Sequence, residues 1–264
     1  MAEKTTKKVP SVNQAAPDVA KADPKATKAA EPVDKSAAKT KRILAWVFWI
    51  LAFACEVLAV LVLNGKVDLG FISQMAQLIA FLVIDLILVI VGAQFWKTAN
   101  HMDPISEANK TKFWLWNNMG VIVCCFAFIP FIILALTNKD ADPKLKKVAT
   151  IVAAVALLLG VGASYDWNPV SEEGLEQATS TLADETVYWT EFGSVYHTHL
   201  DCQHLNRTAE PYEGDVATAI ANNKTRICKT CAKRDDITID DNGAILKTAD
   251  EAVEEVVEEA VPAA

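Results

Sequence analysis

Four residues in the C-terminal third of the chain have the side chains and the spacing of a metal site. Cys228 and Cys231 form a Cys-x-x-Cys pair, and Cys202 lies upstream of it. Three cysteines cannot all pair in disulfides, but one added histidine completes the four ligands that tetrahedral structural zinc requires. The nearby histidines are His197, His199 and His204. We rank His197 first, because it stands far enough from Cys202 for a turn between them to wrap the ion.

Two other states of these cysteines stay open on the sequence alone, a disulfide and a module with unlinked thiols. Zinc is favoured because a core of under about fifty residues rarely folds without a cross-link such as a bound metal ion. Four protein ligands leave no open position for a catalytic water. We therefore expect a structural zinc ion and no enzymatic activity.

The elements that must position these ligands form a small α+β module over residues 186–234. Two strand-forming runs, 187–190 and 194–198, flank Gly193 and predict a β-hairpin. Residues 214–223 predict a short helix between the hairpin and the Cys-x-x-Cys pair.

The order of these residues resembles that of a known family. Tyr196-His197 is followed by Cys202, Leu205, a predicted helix and the closing cysteine pair. This order is similar to a small bacterial zinc-binding module related to the metal-binding module of Ada-type DNA repair proteins. The resemblance covers residues 186–234 and implies four zinc ligands, which are His197, Cys202, Cys228 and Cys231. It does not imply alkyl transfer, because the Ada-type site uses four cysteines where this chain has one histidine.

The middle of the chain, residues 43–164, has the composition of a membrane domain. Its apolar segments cover residues 43–64, 71–96, 113–137 and 148–164. A helix needs roughly 20 mostly apolar residues to cross the hydrocarbon. We predict an α-helical membrane bundle of four transmembrane helices, a multi-pass protein of the bacterial plasma membrane. In this respect the region resembles bacterial four-span membrane proteins, a likeness that implies no function.

Short matching motifs follow the apolar segments and suggest a repeated hairpin. Residues 103–107 after the second segment resemble residues 168–172 after the fourth, since both read Pro-Ile/Val-Ser-Glu after an Asp or Asn. Asn64 and Asn138 follow the first and third segments. This pattern is typical of a two-helix hairpin used twice in the same orientation.

The distribution of Lys and Arg predicts the orientation of the bundle. The flank before the first segment and the loop 97–112 carry seven basic residues, against five in the loops 65–70 and 138–147. By the positive-inside rule, both termini should be cytoplasmic. A competing topology treats residues 113–137 as non-spanning and places the C-terminal module outside.

Two carboxylates, Glu56 and Asp85, interrupt the apolar segments. Counting from the segment ends, their depths differ by only ~3 Å at a rise of about 1.5 Å per residue. Such residues are costly in a membrane and are functional-site candidates by default. One interpretation is a proton- or cation-linked site, with Gln77, Asn117 and Asn118 as nearby polar residues. The other is a polar link between helices.

The remaining segments are polar and highly charged. Residues 1–42 carry ten basic and five acidic residues, and we predict a disordered basic tail there. Residues 165–185 are expected to be a linker, and residues 235–264 a disordered acidic tail. Residues 165–264 carry seven basic and twenty-one acidic residues. Such an acidic region would be repelled by a phosphate backbone, so no nucleic acid is expected as a partner.

Three functions remain as hypotheses. The first is a membrane-anchored module with structural zinc that binds or scaffolds a protein partner. The second is a small ion- or proton-coupled transporter that uses Glu56 and Asp85. The third is a thiol-reactive sensor built on Cys228 and Cys231.

Overall fold

The computed structural model describes residues 26–183 and 185–246 and shows a mainly helical chain with one small sheet. The helices are α1 Lys35–Leu63, α2 Gln74–Met102, α3 Lys110–Asn117, α4 Met119–Thr137, α5 Pro143–Ser164, α6 Glu172–Thr181, α7 Val216–Ala221 and α8 Lys229–Arg234. The strands are β1 Lys28–Ala29, β2 Val187–Trp189, β3 Val195–His197, β4 Tyr212–Gly214 and β5 Arg226–Ile227. A short 3-10 helix spans Gln203–Leu205.

Four of these helices, α1, α2, α4 and α5, are long and apolar enough to cross a membrane. Each overlaps one of the four predicted apolar segments. The first begins earlier than its apolar segment, at Lys35, because the Asp34 side chain caps its N-terminus by accepting from the Ser36 N–H.

The third apolar segment is divided at Asn118, which separates α3 from α4. At one end of α4, Gly120 lies against Ala93 and Ser164. At the other end, Asn138 hydrogen-bonds to Asn64 in the turn that follows α1. The helix therefore runs from one end of the bundle to the other, unlike a re-entrant segment.

Small residues line the buried faces of the bundle and let the helices approach closely. In α1 the buried alanines recur every seven residues, at Ala38, Ala45, Ala52 and Ala59. Gly92 of α2 lies against Trp49, and Gly160 of α5 lies against Cys124. Close packing of this kind is typical of helices that associate without a hydrophobic driving force.

The C-terminal part of the chain folds around a five-stranded sheet with the order β1-β4-β2-β3-β5. The predicted hairpin is confirmed, since β2 and β3 pair antiparallel with Trp189 opposite Tyr196. The predicted short helix is confirmed as α7, which Asp215 caps. The core of this region includes Trp189, Tyr196 and Ile227.

The first strand of the sheet comes from the other end of the chain. Residues Lys28–Ala29 pair in parallel with β4, and the Ala30 N–H donates to the Glu213 carbonyl at 2.8 Å. The segments before α1 and after α5 therefore meet at the same end of the helical bundle.

Three predicted boundaries need correction. Residues 26–42 are not a disordered tail, because they form β1 and the start of α1. The linker 165–185 contains α6, whose N-terminus Ser171 caps. The folded module extends past residue 234, because residues 235–246 return to it through the Ile239–Ile245 bridge. The rest of the two predicted tails, residues 1–25 and 247–264, lies outside the described residues.

Candidate metal centre

The four predicted ligands converge in the C-terminal module. One ligand atom from each of His197, Cys202, Cys228 and Cys231 lies within 4.8 Å of the other three. The Cys202 and Cys228 sulfurs are 4.0 Å apart, and the Cys231 sulfur is 3.8 Å from Nδ1 of His197. Zn–S bonds of about 2.3 Å place neighbouring sulfurs of a tetrahedral site roughly 3.8 Å apart. The spacing therefore fits one metal ion.

Sheet pairing and two short helices bring these side chains together. Strand β3 pairs in parallel with β5, and the Cys228 N–H donates to the Tyr196 carbonyl at 2.8 Å. This pairing places the residue after Tyr196, which is His197, beside the Cys-x-x-Cys pair. Cys228 immediately precedes α8, and Cys231 lies in its first turn.

Cys202 reaches the site from a third segment of the module. It immediately precedes the 3-10 helix, and its carbonyl accepts from the Leu205 N–H at 2.8 Å. Leu205 is completely buried and packs with the three cysteines. The leucine of the predicted motif thus closes the apolar wall around the ligands.

All three thiols are free and deeply buried. Their sulfurs are not in disulfides, and each cysteine is at most 5% exposed. Burial raises the pKa of the Cys202 thiol to about 12. The protonated thiol is therefore favoured without a metal. A bound metal cation would favour the thiolate instead, because thiolate is the form that binds metal.

The buried imidazole of His197 is suited to metal binding. Burial, with a smaller contribution from His204, lowers the pKa of His197 to about 4. Neutral imidazole is the form that ligates a metal. The donor set of one imidazole and three thiols is a combination found in structural zinc sites.

The two competing histidines lie outside the ligand group. His199 pairs with the Asp235 carboxylate, which also accepts from the Thr198 hydroxyl. His204 contacts the Thr230 hydroxyl through Nε2 at 3.2 Å, and its ring stacks beside that of His197. Both histidines therefore border the site without joining its ligand set.

A buried polar junction, which the sequence analysis missed, joins the module to the bundle. His101, in the last turn of α2, contacts the Asp166 carboxylate at 3.1 Å and the Asn223 side-chain oxygen at 2.8 Å. Both His101 and Asp166 are about 95% buried. Asn223 has a positive φ of 63°, a conformation that asparagine tolerates better than most residues.

Glu56 and Asp85 interact electrostatically inside the helical bundle and are not part of the candidate metal centre. The amides predicted near them lie elsewhere. Gln77 binds the loop before α2 through Asp68 and Leu69. Asn117 accepts from Asn100, and Asn118 donates to the Trp114 carbonyl.

Comparison of the chain with protein-family models, with curated proteins and with solved structures finds no match. The interpretation of this chain therefore depends on the geometry of its own residues.

Proposed function

We propose that this chain is a multi-pass membrane protein that holds a structural zinc ion in a module attached to one end of its helical bundle. The observation that carries the proposal is the convergence of four buried ligand atoms within 4.8 Å. Four protein ligands complete a tetrahedral shell, so the ion would stabilise the module rather than activate water.

A binding or scaffolding role for a protein partner is supported by the way the module is fixed. Strand β1 and the His101–Asp166–Asn223 junction attach it to two separate parts of the chain. A module held at both places presents its surface in a defined orientation, as a scaffold requires. The thiol-reactive alternative receives less support, because reactive cysteines are partly exposed and these three are buried.

The bundle end that carries the module is proposed to face the cytoplasm. Seven basic residues lie in the flank before the first apolar segment and in the loop 97–112, on this side, against five in the loops at the other end. A reducing compartment would also keep three closely spaced thiols available for metal.

Metal analysis of the full-length protein in detergent tests the zinc site. One zinc per chain is expected, with loss of the metal in His197→Ala and in Cys228→Ser. The matched control is His199→Ala, which should keep the metal because His199 lies outside the ligand set. A metal-free wild-type protein purified from zinc-supplied cells would contradict the proposal. So would a result in which His199→Ala is the only variant that loses zinc.

Labelling with a membrane-impermeant maleimide tests the orientation. Asn138→Cys should react in intact cells, whereas Glu107→Cys, at the module end, should react only after permeabilisation. The reverse pattern would place the module outside the cell.

A further inference from the structure

Two acidic side chains are buried on the two longest helices. Asp85 of α2 is completely buried, and Glu56 of α1 is 6% exposed. Each helix spans 29 residues, and the two carboxyl groups interact electrostatically.

These carboxyl groups have no polar partner in the part of the chain that the structure describes. Both oxygens of Asp85 and the Oε2 atom of Glu56 are shielded from solvent and accept no hydrogen bond there. Among the same residues, the ion pairs all lie elsewhere, and no basic side chain is within 4.0 Å of either group.

Two thiols also interact with this pair. Cys55 of α1 and Cys124 of α4 both interact electrostatically with Asp85, and Cys125 neighbours Cys124. The Cys124 thiol donates to the Leu157 carbonyl of α5 at 3.8 Å, so it is not a hydrogen-bond donor to the Asp85 carboxylate.

The basic residues of α5 are too distant to compensate the pair. They are Lys144, Lys146 and Lys147, in its first turns. Lys147 precedes Leu157 by ten residues, a distance of about 15 Å along a helix.

An ionised carboxylate in such surroundings is strongly unfavourable unless a cation or a proton neutralises it. Two neighbouring carboxylates cannot both ionise without repelling each other. A metal ion would need more ligands, but among the described residues only the His197 group brings three or more metal-binding side chains together.

We propose that Glu56 and Asp85 form a proton-binding carboxyl pair in the core of the bundle. Bound protons remove the repulsion between α1 and α2 and permit their close packing. Glu56 is the more accessible member of the pair, because it is 6% exposed whereas Asp85 is completely buried. This site is independent of the proposed zinc site.

Dicyclohexylcarbodiimide is a direct probe, because it adds to protonated carboxyl groups in apolar surroundings. The full-length protein in detergent micelles is treated at pH 7, and the adducts are located by mass spectrometry. Infrared spectroscopy of the untreated protein follows the carbonyl band of protonated carboxyl groups in parallel. The variants are Glu56→Gln, Asp85→Asn and their combination, with Asp140→Asn in an exposed loop as the matched control.

We expect an adduct on Glu56 at pH 7, and a protonated-carboxyl band that disappears in the double variant but persists in Asp140→Asn. In each single variant, Glu56→Gln and Asp85→Asn, the band should be weaker than in the wild-type protein, because one of the two carboxyl groups has been removed. Both substitutions nearly preserve side-chain shape, and size-exclusion chromatography with zinc content reports folding.

The proposal is overturned if the folded wild-type protein has neither the adduct nor the band at pH 7, or if the double variant retains the band. Should the double variant fail to fold, the infrared titration of the wild-type protein and of each single variant decides the question.

Discussion

The side chain of Asn138 donates a hydrogen bond to that of Asn64 at 2.9 Å, although 74 residues separate them. These residues follow α4 and α1 at equivalent places. At the opposite end of the bundle, the Glu172 N–H donates to the Ile105 carbonyl at 3.2 Å, again between matching motifs. The matching motifs thus lie side by side at both ends, as expected if the α1–α2 and α4–α5 hairpins share one orientation.

Cross-linking between the turns that follow α1 and α4 tests whether the two hairpins share one orientation. A short bifunctional maleimide should join the cysteines of Asn64→Cys/Asn138→Cys within one chain, because the two side chains are in contact. The control pair, Asn64→Cys/Glu107→Cys, places its cysteines at opposite ends of the bundle and should not cross-link. Equal cross-linking of both pairs would exclude the bundle described above.

Gly92 provides a test of the α1–α2 contact. An added Cβ would lie 2.5 Å from Nε1 of Trp49 and 3.2 Å from the Ala45 carbonyl oxygen. Gly92→Ala should therefore disturb the hydrogen bond from Trp49 to the Val89 carbonyl and lower the free energy of unfolding by about 1–3 kcal/mol.

Gly162→Ala is the matched control, because an added Cβ there meets nothing within 4 Å. This helix position should gain about 0.5–1 kcal/mol from the replacement of glycine. Thermal unfolding in detergent measures both effects, and equal melting temperatures for the two variants would contradict the predicted difference.

The contact between α6 and the loop after α2 should depend on pH. The Glu173 carboxylate accepts from the Ser106 hydroxyl and from the Glu107 N–H, and these hydrogen bonds hold the pKa of Glu173 below its ordinary value of 4.5. Ionised Glu173 therefore stabilises the folded state at pH values above the ordinary pKa of a glutamate. This contribution is lost as the pH falls through the lower pKa that Glu173 has in the folded state.

Glu173→Gln removes this ionisable group. It should lower stability at pH 7 by on the order of 1 kcal/mol, with no difference from wild type once the wild-type carboxyl is protonated. Melting temperatures measured from pH 7 down to pH 3 provide the comparison. A difference that stays constant across this range would show that the charge is not responsible.

The attachment of β1 depends on two backbone donors, Lys28 and Ala30, which bond to Pro211 and Glu213. Ala30→Pro removes one donor and should detach the strand, since proline has no N–H. Tryptic cleavage after Lys28 should then be faster, while the zinc content stays unchanged. Ala29→Ser, which keeps both donors, is the control and should cleave at the wild-type rate.

The sequence was most informative where the signal was local. Apolar runs long enough to cross a membrane predict the four helices, and the Cys-x-x-Cys spacing predicts the ligand group. Helix α6 has little apolar content, but Ser171 and the acidic residues after it are start signals that indicate a helix.

Contacts between distant segments could not be predicted in this way. Strand β1 has two exposed residues, and nothing in their types specifies β4 as the partner. The partners of His101 are likewise distant in sequence, 65 residues away at Asp166 and 122 away at Asn223. Their pairing depends on where the helices end, and the hydrophobic periodicity of the sequence does not determine those positions.

The pairing of β1 with β4 also imposes an order on folding during synthesis. Lys28 leaves the ribosome early, and Tyr212, which its side chain contacts, follows 184 residues later. At roughly 5–20 residues per second, the first strand waits about 10–40 s for its partner. All four long helices are made in that interval, so the edge strand joins the sheet only after the bundle has brought its two ends together.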